Sequence, residues 1–355
     1  MFRWRKLMLL ASVMVLLTGF ILDFTLTKAS MFEQFGEQFV NAQKTDSFSE
    51  AKRGVKATAQ RQIEIARADL KEVSLASSRD PITVKRAAGS AIQLQYTVTS
   101  YSSNAESANR QLDAVVVEEQ VSDGRLTLAA RSGGKPIDPD DIAMEYVLLV
   151  PDGIKLRVEA KGGPLRIQGV RADVEAISEH DMMDLIDITG TLTVKTSFGS
   201  VYMAGVSGSV SLDNRSSDAT MEDIKGPLTL TGSAGHNQVS RVSGKLSVNA
   251  KNGSLRVQDC TGAVEVTGAG VDMQLEQIKN TMQIHSQSGD VRLMLAESEG
   301  YRVAAAVRGG FIQANLNGVP VVREDDWSRF NGDIGKGTWS TMIDATGASV
   351  TIHTK

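Results

Sequence analysis

From Leu156 onward the chain repeats itself every 18 residues, eight times in succession, with no insertion. The units begin at Leu156, Val174, Leu192, Val210, Leu228, Leu246, Val264 and Met282. Their third position is Val158, Ala176, Val194, Leu212, Leu230, Val248, Val266 and Ile284, and their twelfth runs from Ile167 through Leu185, Met203, Met221, Val239, Val257 and Leu275 to Leu293. The fifteenth carries Val170, Ile188, Val206, Ile224, Val242, Cys260, Ile278 and Ala296. A fixed period near 20 is the mark of a solenoid, in which one unit cannot bury its apolar face alone and stacking supplies the core. Positions one and three are apolar around a polar residue, so they share one side of a strand. Positions ten and twelve mostly repeat that pattern on a second strand. A sandwich of hairpins needs no constant spacing, and the apolar positions 1, 3, 10, 12 and 15 do not form a six-residue series. The expected fold is therefore all-β, a parallel β-solenoid (β-helix-like) with 18-residue coils.

Two further columns refine the expectation. Position two offers Thr193, Ser211, Thr229 and Ser247 as an outward hydroxyl ladder. Glycine recurs at the eighth position (Gly163, Gly199, Gly235, Gly253, Gly289) and at the seventeenth (Gly190, Gly208, Gly226, Gly244, Gly262). Both are expected to be turns in which a positive φ is cheap for glycine.

Before the repeat, period-two alternation runs from Ile63 and Ile65 through Ile82, Val84, Ile92, Leu94, Tyr96 and Val98 to Leu148 and Val150, ahead of the turn at Pro151-Asp152-Gly153. This marks residues 61–155 as an N-terminal β region and 156–299 as the coils. After Glu299 the period breaks. Val303, Ala305 and Val307 still alternate, Trp327 to Trp339 reads as irregular, and Val350 and Ile352 alternate again. Residues 300–355 are expected to form C-terminal coils and a cap over the last rung.

The opposite end is an export signal. Arg3, Arg5 and Lys6 precede the uncharged stretch 7–22, which fits a cytoplasmic basic tail followed by a transmembrane or signal helix over 1–24. The uncharged run of 16 residues is slightly short for a spanning helix, so a cleaved signal is the alternative. Thr27 makes cleavage after Ala29 a poor small-x-small site, and Phe20 stands where a lipoprotein motif after Leu17-Thr18-Gly19 needs cysteine. A retained anchor is favoured, with membrane contact through residues 7–24 and the body outside; secretion after cleavage is the other possibility. Within 25–60, Phe32, Phe35 and Phe39 recur at helical spacing as a juxtamembrane helix, and 41–60 reads as a linker.

Composition narrows the function. Thirty-eight Lys and Arg against forty-two Asp and Glu leave a net charge of −4, which argues against nucleic-acid binding. One cysteine precludes a disulfide framework, and aromatic residues at 5% are too few for stacking platforms.

Residues 18 apart share a column, so chemistry would have to gather along columns. Asp223, Arg241 and Asp259, at position fourteen, could form an acid–base or sugar-binding corner, but a weak ladder of surface charges is preferred. His180 and Asp181 with Asp184 and Asp187 could hold a divalent cation; alternation separates Asp181 from Asp184, and a solvated acidic coil is preferred. His236 follows Asp218 in position nine and could pair with it at the surface. Cys260 falls in an inward column and is expected to be a buried, inert thiol. No catalytic, cofactor-binding or metal residue is assigned.

The basic-plus-apolar start, the segment Tyr146-Val147-Leu148-Leu149-Val150-Pro151, coils such as Gly253-Ser254-Leu255-Arg256-Val257 and the element Ser286-Gln287-Ser288-Gly289-Asp290-Val291 together resemble the bacterial "putative adhesin" family. The resemblance covers roughly residues 61–355. It implies a membrane-anchored or exported β-solenoid of the cell envelope, in some members beside Gram-positive envelope-stress signalling systems, and supplies no catalytic residues. The expected function is a non-enzymatic, adhesin-like or accessory interaction module whose partner is an envelope protein or surface ligand. A polysaccharide-active β-helix enzyme and a regulator of a membrane envelope-stress sensor are the alternatives. A deep groove lined by convergent acids or Arg would favour the enzyme.

Overall fold

The computed structural model describes residues 54–314 and 319–354. The anchor at 1–24 and the Phe32–Phe39 helix lie outside the described residues. Within them, no helix is long and apolar enough to cross a membrane.

Six of the eight 18-residue units give one strand to each of two rows, here called the first and second sheet, while in the other two a single strand, Leu246–Gln258 or Val264–Glu276, runs through both rows and joins them into one hydrogen-bonded sheet. In the first sheet, Leu156–Ala160 through Met282–Gln287 stack in parallel with an 18-residue stagger: Leu156 beside Val174, then Leu192, Val210, Leu228, Leu246, Val264 and Met282. In the second, Ile167 lies beside Leu185, then Met203, Met221, Val239, Val257, Leu275 and Leu293. The apolar columns of both sheets meet in one core, with Val194, Leu212, Leu230, Val248 and Val266 all buried. Thr193, Ser211, Thr229 and Ser247 lie in register on the outer face, exposed or half-buried. This all-β, solenoid-like stack follows from the period: one frame buries positions 1, 3, 10, 12 and 15 in rung after rung only if each rung copies the one before.

The glycine columns do something other than expected. Of the five glycines at position seventeen, only Gly190 and Gly208 have positive φ. What they share is contact: a Cβ at Gly190 would lie 2.5 Å from the Ala172 carbonyl oxygen. A Cβ at Gly208, Gly226, Gly244 or Gly262 would overlap the backbone of the glycine one rung earlier. Positive φ is taken instead at position fourteen, by Gly169, Asp187, Gly205, Asp223, Arg241, Asp259 and Gln277 in successive rungs. Aspartate and glycine tolerate that left-handed corner best, which explains why they recur there.

Both ends depart from the period. At the start, Glu72–Ser77 stacks on Lys155–Ala160, Arg125–Ser132 on Glu72–Ser77, and antiparallel Val115–Ser122 closes the first sheet. In the second sheet, Ile82–Arg86 and Ile142–Val150 continue the stack, followed by antiparallel Ile92–Ser102 and Val55–Ile65. The last of these corrects the linker expected over 41–60: Val55 already belongs to a strand, masked in the sequence by Ala57 and Ala59 at its weakly apolar positions. A helix, Ala105–Ala114, was also not anticipated; its signal is Asn104, whose side chain accepts the Ser107 amide at 2.8 Å as an N-cap.

At the other end the stacking order leaves chain order. Trp339–Thr346, not Tyr301–Arg308, packs on Met282–Gln287. Tyr301–Arg308 lies one rung further out, covered by antiparallel Trp327–Ile334. The segment expected to be irregular is therefore mostly a capping strand. It reads as irregular because Asn331, Gly332 and Asp333 interrupt its alternation, and it is held by pairing with Tyr301–Arg308. The Tyr301 hydroxyl donates to the Ile278 carbonyl at 2.8 Å and ties this cap to the coils.

Candidate functional site

The outward residues of the second sheet form continuous columns, and two grooves among the described residues lie on this face. One groove of about 530 Å³ crosses the last five coils; another of about 460 Å³ lies further back, around Gln60, Gln62, Gln95 and Glu145.

The larger groove is built from two columns. Position nine places Asp218, His236, Ser254, Asp272 and Asp290 one above the other, and position eleven places Arg256 and Arg292 beside them. The acids are held by the stack itself. Asp218 Oδ1 accepts the His236 backbone amide at 2.9 Å, Asp272 Oδ1 the Asp290 amide at 3.1 Å, and Asp290 Oδ1 the Ser349 amide at 3.0 Å. Each carboxylate thus satisfies an amide at the strand entry of the next rung. The His236 ring bonds forward instead, Nδ1 to Ser254 Oγ at 2.8 Å. Asp218 and His236 do come together, but through the His236 backbone amide, and the ring partner is Ser254. A nucleophilic triad needs the acid to orient the ring, and here the Asp218 oxygen orients the strand.

The other sequence candidates are distributed differently. Arg241 Nε donates to Asp223 Oδ1 at 2.7 Å and Nη2 to Oδ2 at 3.0 Å, a two-pronged pair that also takes in Glu222. Hydrogen bonding from Asp223 holds the Arg241 guanidinium above its usual range. Asp259, the third member of that column, makes no ion pair among the described residues. All three occupy the left-handed corner, so their recurrence is conformational first.

The acidic coil is dispersed. His180 Nδ1 faces the Lys161 carbonyl at 3.2 Å and its ring stacks on Phe198, Asp181 Oδ1 caps the Met182 amide, and Asp187 sits at the corner. Among the described residues no cluster of potential metal ligands forms. The expectation of a solvated coil fails at Asp184, whose side chain is 2% exposed. It lies in register between Arg166 and Tyr202, and Arg166 Nη2 reaches its Oδ2 at 2.9 Å while Oδ1 has no hydrogen-bond partner. Burial raises its pKa against the opposing pull of Arg166. The long side chains of the adjacent rungs cover it, which alternation within one strand could not reveal.

Cys260 is fully buried, in the column between Val242 and Ile278. Burial pushes its thiol up to about 11, leaving little thiolate at neutral pH. Thiol reagents should therefore label the native protein slowly and the urea-unfolded protein fast. Cys260→Ala should cost about 1–3 kcal/mol of stability. Equal labelling rates in the two states would contradict the burial.

A family model described as Toastrack DUF4097 matches residues 70–324. No curated protein matches the chain significantly. Among solved structures, one described as a putative adhesin from Parabacteroides merdae is similar at 10% identity, covering 84% of this chain and 97% of that one, with a TM-score of 0.38. A putative adhesin from Bacteroides fragilis matches at 9% identity over 84% and 97%, with a TM-score of 0.32. A putative cell adhesion protein from Clostridium sporogenes matches at 12% identity over 84% and 100%, with a TM-score of 0.22.

Proposed function

Because the chain belongs to the Toastrack DUF4097 family, we propose that it is a non-enzymatic cell-envelope protein, anchored by residues 7–24 in the membrane and presenting its solenoid outside as an adhesin-like or accessory interaction module. The observation that carries this reading is the continuity of the outer columns. A stack with one frame turns each outward position into a row at ~4.8 Å spacing, a surface suited to extended contact. The groove does carry acids and arginines, the lining named above as favouring an enzyme; binding is preferred because Asp218, Asp272 and Asp290 each give an oxygen to a backbone amide at 2.9–3.1 Å and none orients the His236 ring as a triad requires. The location is supported by Arg3, Arg5 and Lys6 ahead of an uncharged run.

The test is topological. Protease added to intact protoplasts expressing the full chain should digest the body over residues 61–355 and leave the membrane otherwise sealed. Alkaline extraction should leave the undigested protein in the membrane pellet if the anchor is retained, and release to the medium would establish the cleaved form instead. Complete protection of the body from protease would overturn the placement.

A further inference from the structure

The larger groove keeps opposite charges close without letting them neutralise each other. Asp290 lies at the entry to the strand Val291–Leu295 that carries Arg292, two residues and about 7 Å along the extended chain from it. Asp272 sits in the rung between those of Arg256 and Arg292. No ion pair among the described residues joins an acid of the first column to an arginine of the second. Arg256 turns away, with Nη2 3.3 Å from Glu276 Oε1, while Arg292 is exposed and makes no ion pair among the described residues. The acids are fixed by the amides they accept, so they cannot swing across to the arginines without giving up those bonds. The fixed carboxylates of Asp272 and Asp290 beside the single arginine Arg292 form a preorganised surface for a ligand carrying both signs at matching separation.

We propose that this groove binds a zwitterionic peptide segment, with an ammonium group on the Asp272–Asp290 row and a carboxylate on Arg292. A purely anionic ligand would meet the acid row, and a purely cationic one would meet Arg256 and Arg292, so each loses on one side what it gains on the other. This inference gives the ligand class for the interaction module proposed above, but its test does not depend on where the protein resides.

The experiment uses the full chain in detergent and four fluorescently labelled, end-blocked tripeptides followed by polarisation at low salt: Lys-Gly-Glu, Lys-Gly-Gln, Gln-Gly-Glu and Gln-Gly-Gln. The doubly charged peptide should bind at least about tenfold more tightly than either singly charged one, a difference of about 1.4 kcal/mol, and should weaken with added salt. Arg292→Gln should abolish the gain from the glutamate while keeping that from the lysine. Asp272→Asn, which retains the oxygen that accepts the Asp290 amide and so the local fold, should do the reverse. Unchanged thermal unfolding checks that each variant is folded; if Arg292→Gln is not, Arg292→Met, which keeps the length and apolar stem of the side chain, takes its place. Equal binding of all four peptides, tighter binding of a singly charged one, or a preference that survives both substitutions would overturn the proposal. Absence of binding would also overturn it, and would leave the protease topology result standing.

Discussion

Replacing Leu230 by aspartate is expected to cost more than about 4 kcal/mol and to unfold the coils on either side. Leu230 is fully buried, directly between Leu212 and Val248 in adjacent rungs. A carboxylate there has apolar neighbours above, below and across the core, and nothing to pair with. Because each rung touches mainly its two neighbours, the loss spreads locally rather than evenly, and hydrogen exchange should rise first in Leu212–Val248. The control is one residue away. Thr229 is exposed on the outer face, so Thr229→Asp should change stability by no more than about 0.5 kcal/mol. Urea denaturation of the two variants reads the contrast; losses of similar size would mean that the inward and outward columns have been exchanged.

Gly226→Ala is expected to be nearly as damaging, about 3 kcal/mol or more, although it adds a single methyl group. That methyl would overlap the Gly208 carbonyl in the rung before. Both partners are backbone, so no side chain can swing aside, and relief comes only from forcing the rungs apart and lengthening their hydrogen bonds. Gly226 has no positive φ, so the cost is one of contact and not of conformation. Gly232→Ala supplies the comparison: the nearest atoms to its added carbon, Asn214 O and Asn237 Nδ2, are both at 3.8 Å. It should be neutral or stabilising by up to about 1 kcal/mol through the reduced freedom of the unfolded chain. Similar melting temperatures for the two alanine variants would remove the packing role of the glycine column.

These two residues show what the sequence discloses and where it stops. Leu230 could be placed because period and alternation together fix both rung and side, and the observed pairing of Leu212, Leu230 and Val248 follows that register. Gly226 could be located but not explained, since a glycine that avoids a collision looks the same in one dimension as one that turns. The same ambiguity hides in Asp223, Arg241 and Asp259: a ladder of surface charges accounts for their signs, while the left-handed corner that selects the column shows only in the backbone. Asp184 was misjudged because its cover comes from Arg166 and Tyr202, one rung away on either side. The groove was half visible: Asp218 and His236 were recognised in one column, but the arginines at position eleven acquire meaning only when two columns are seen side by side. The flanking regions lack a period, so their partners, such as Leu156 with Val73, had no spacing to announce them.

The exchange of order at the C-terminal end sets a timetable for folding. Through the coils, each new rung finds its partner 18 residues back, a short loop closure that lets the stack grow as the chain is made. At Met282 the next partner is Thr341, and Tyr301–Arg308, synthesised earlier, has to wait in its hairpin until Trp339–Thr346 slots in beneath it. Until then Met282–Gln287 presents an unpaired edge, open to any other strand that arrives first. A chain interrupted between Arg308 and Trp339 would keep all eight coils and still leave the Met282–Gln287 edge open to a foreign strand, so the last stretch synthesised is the one that closes the molecule against association.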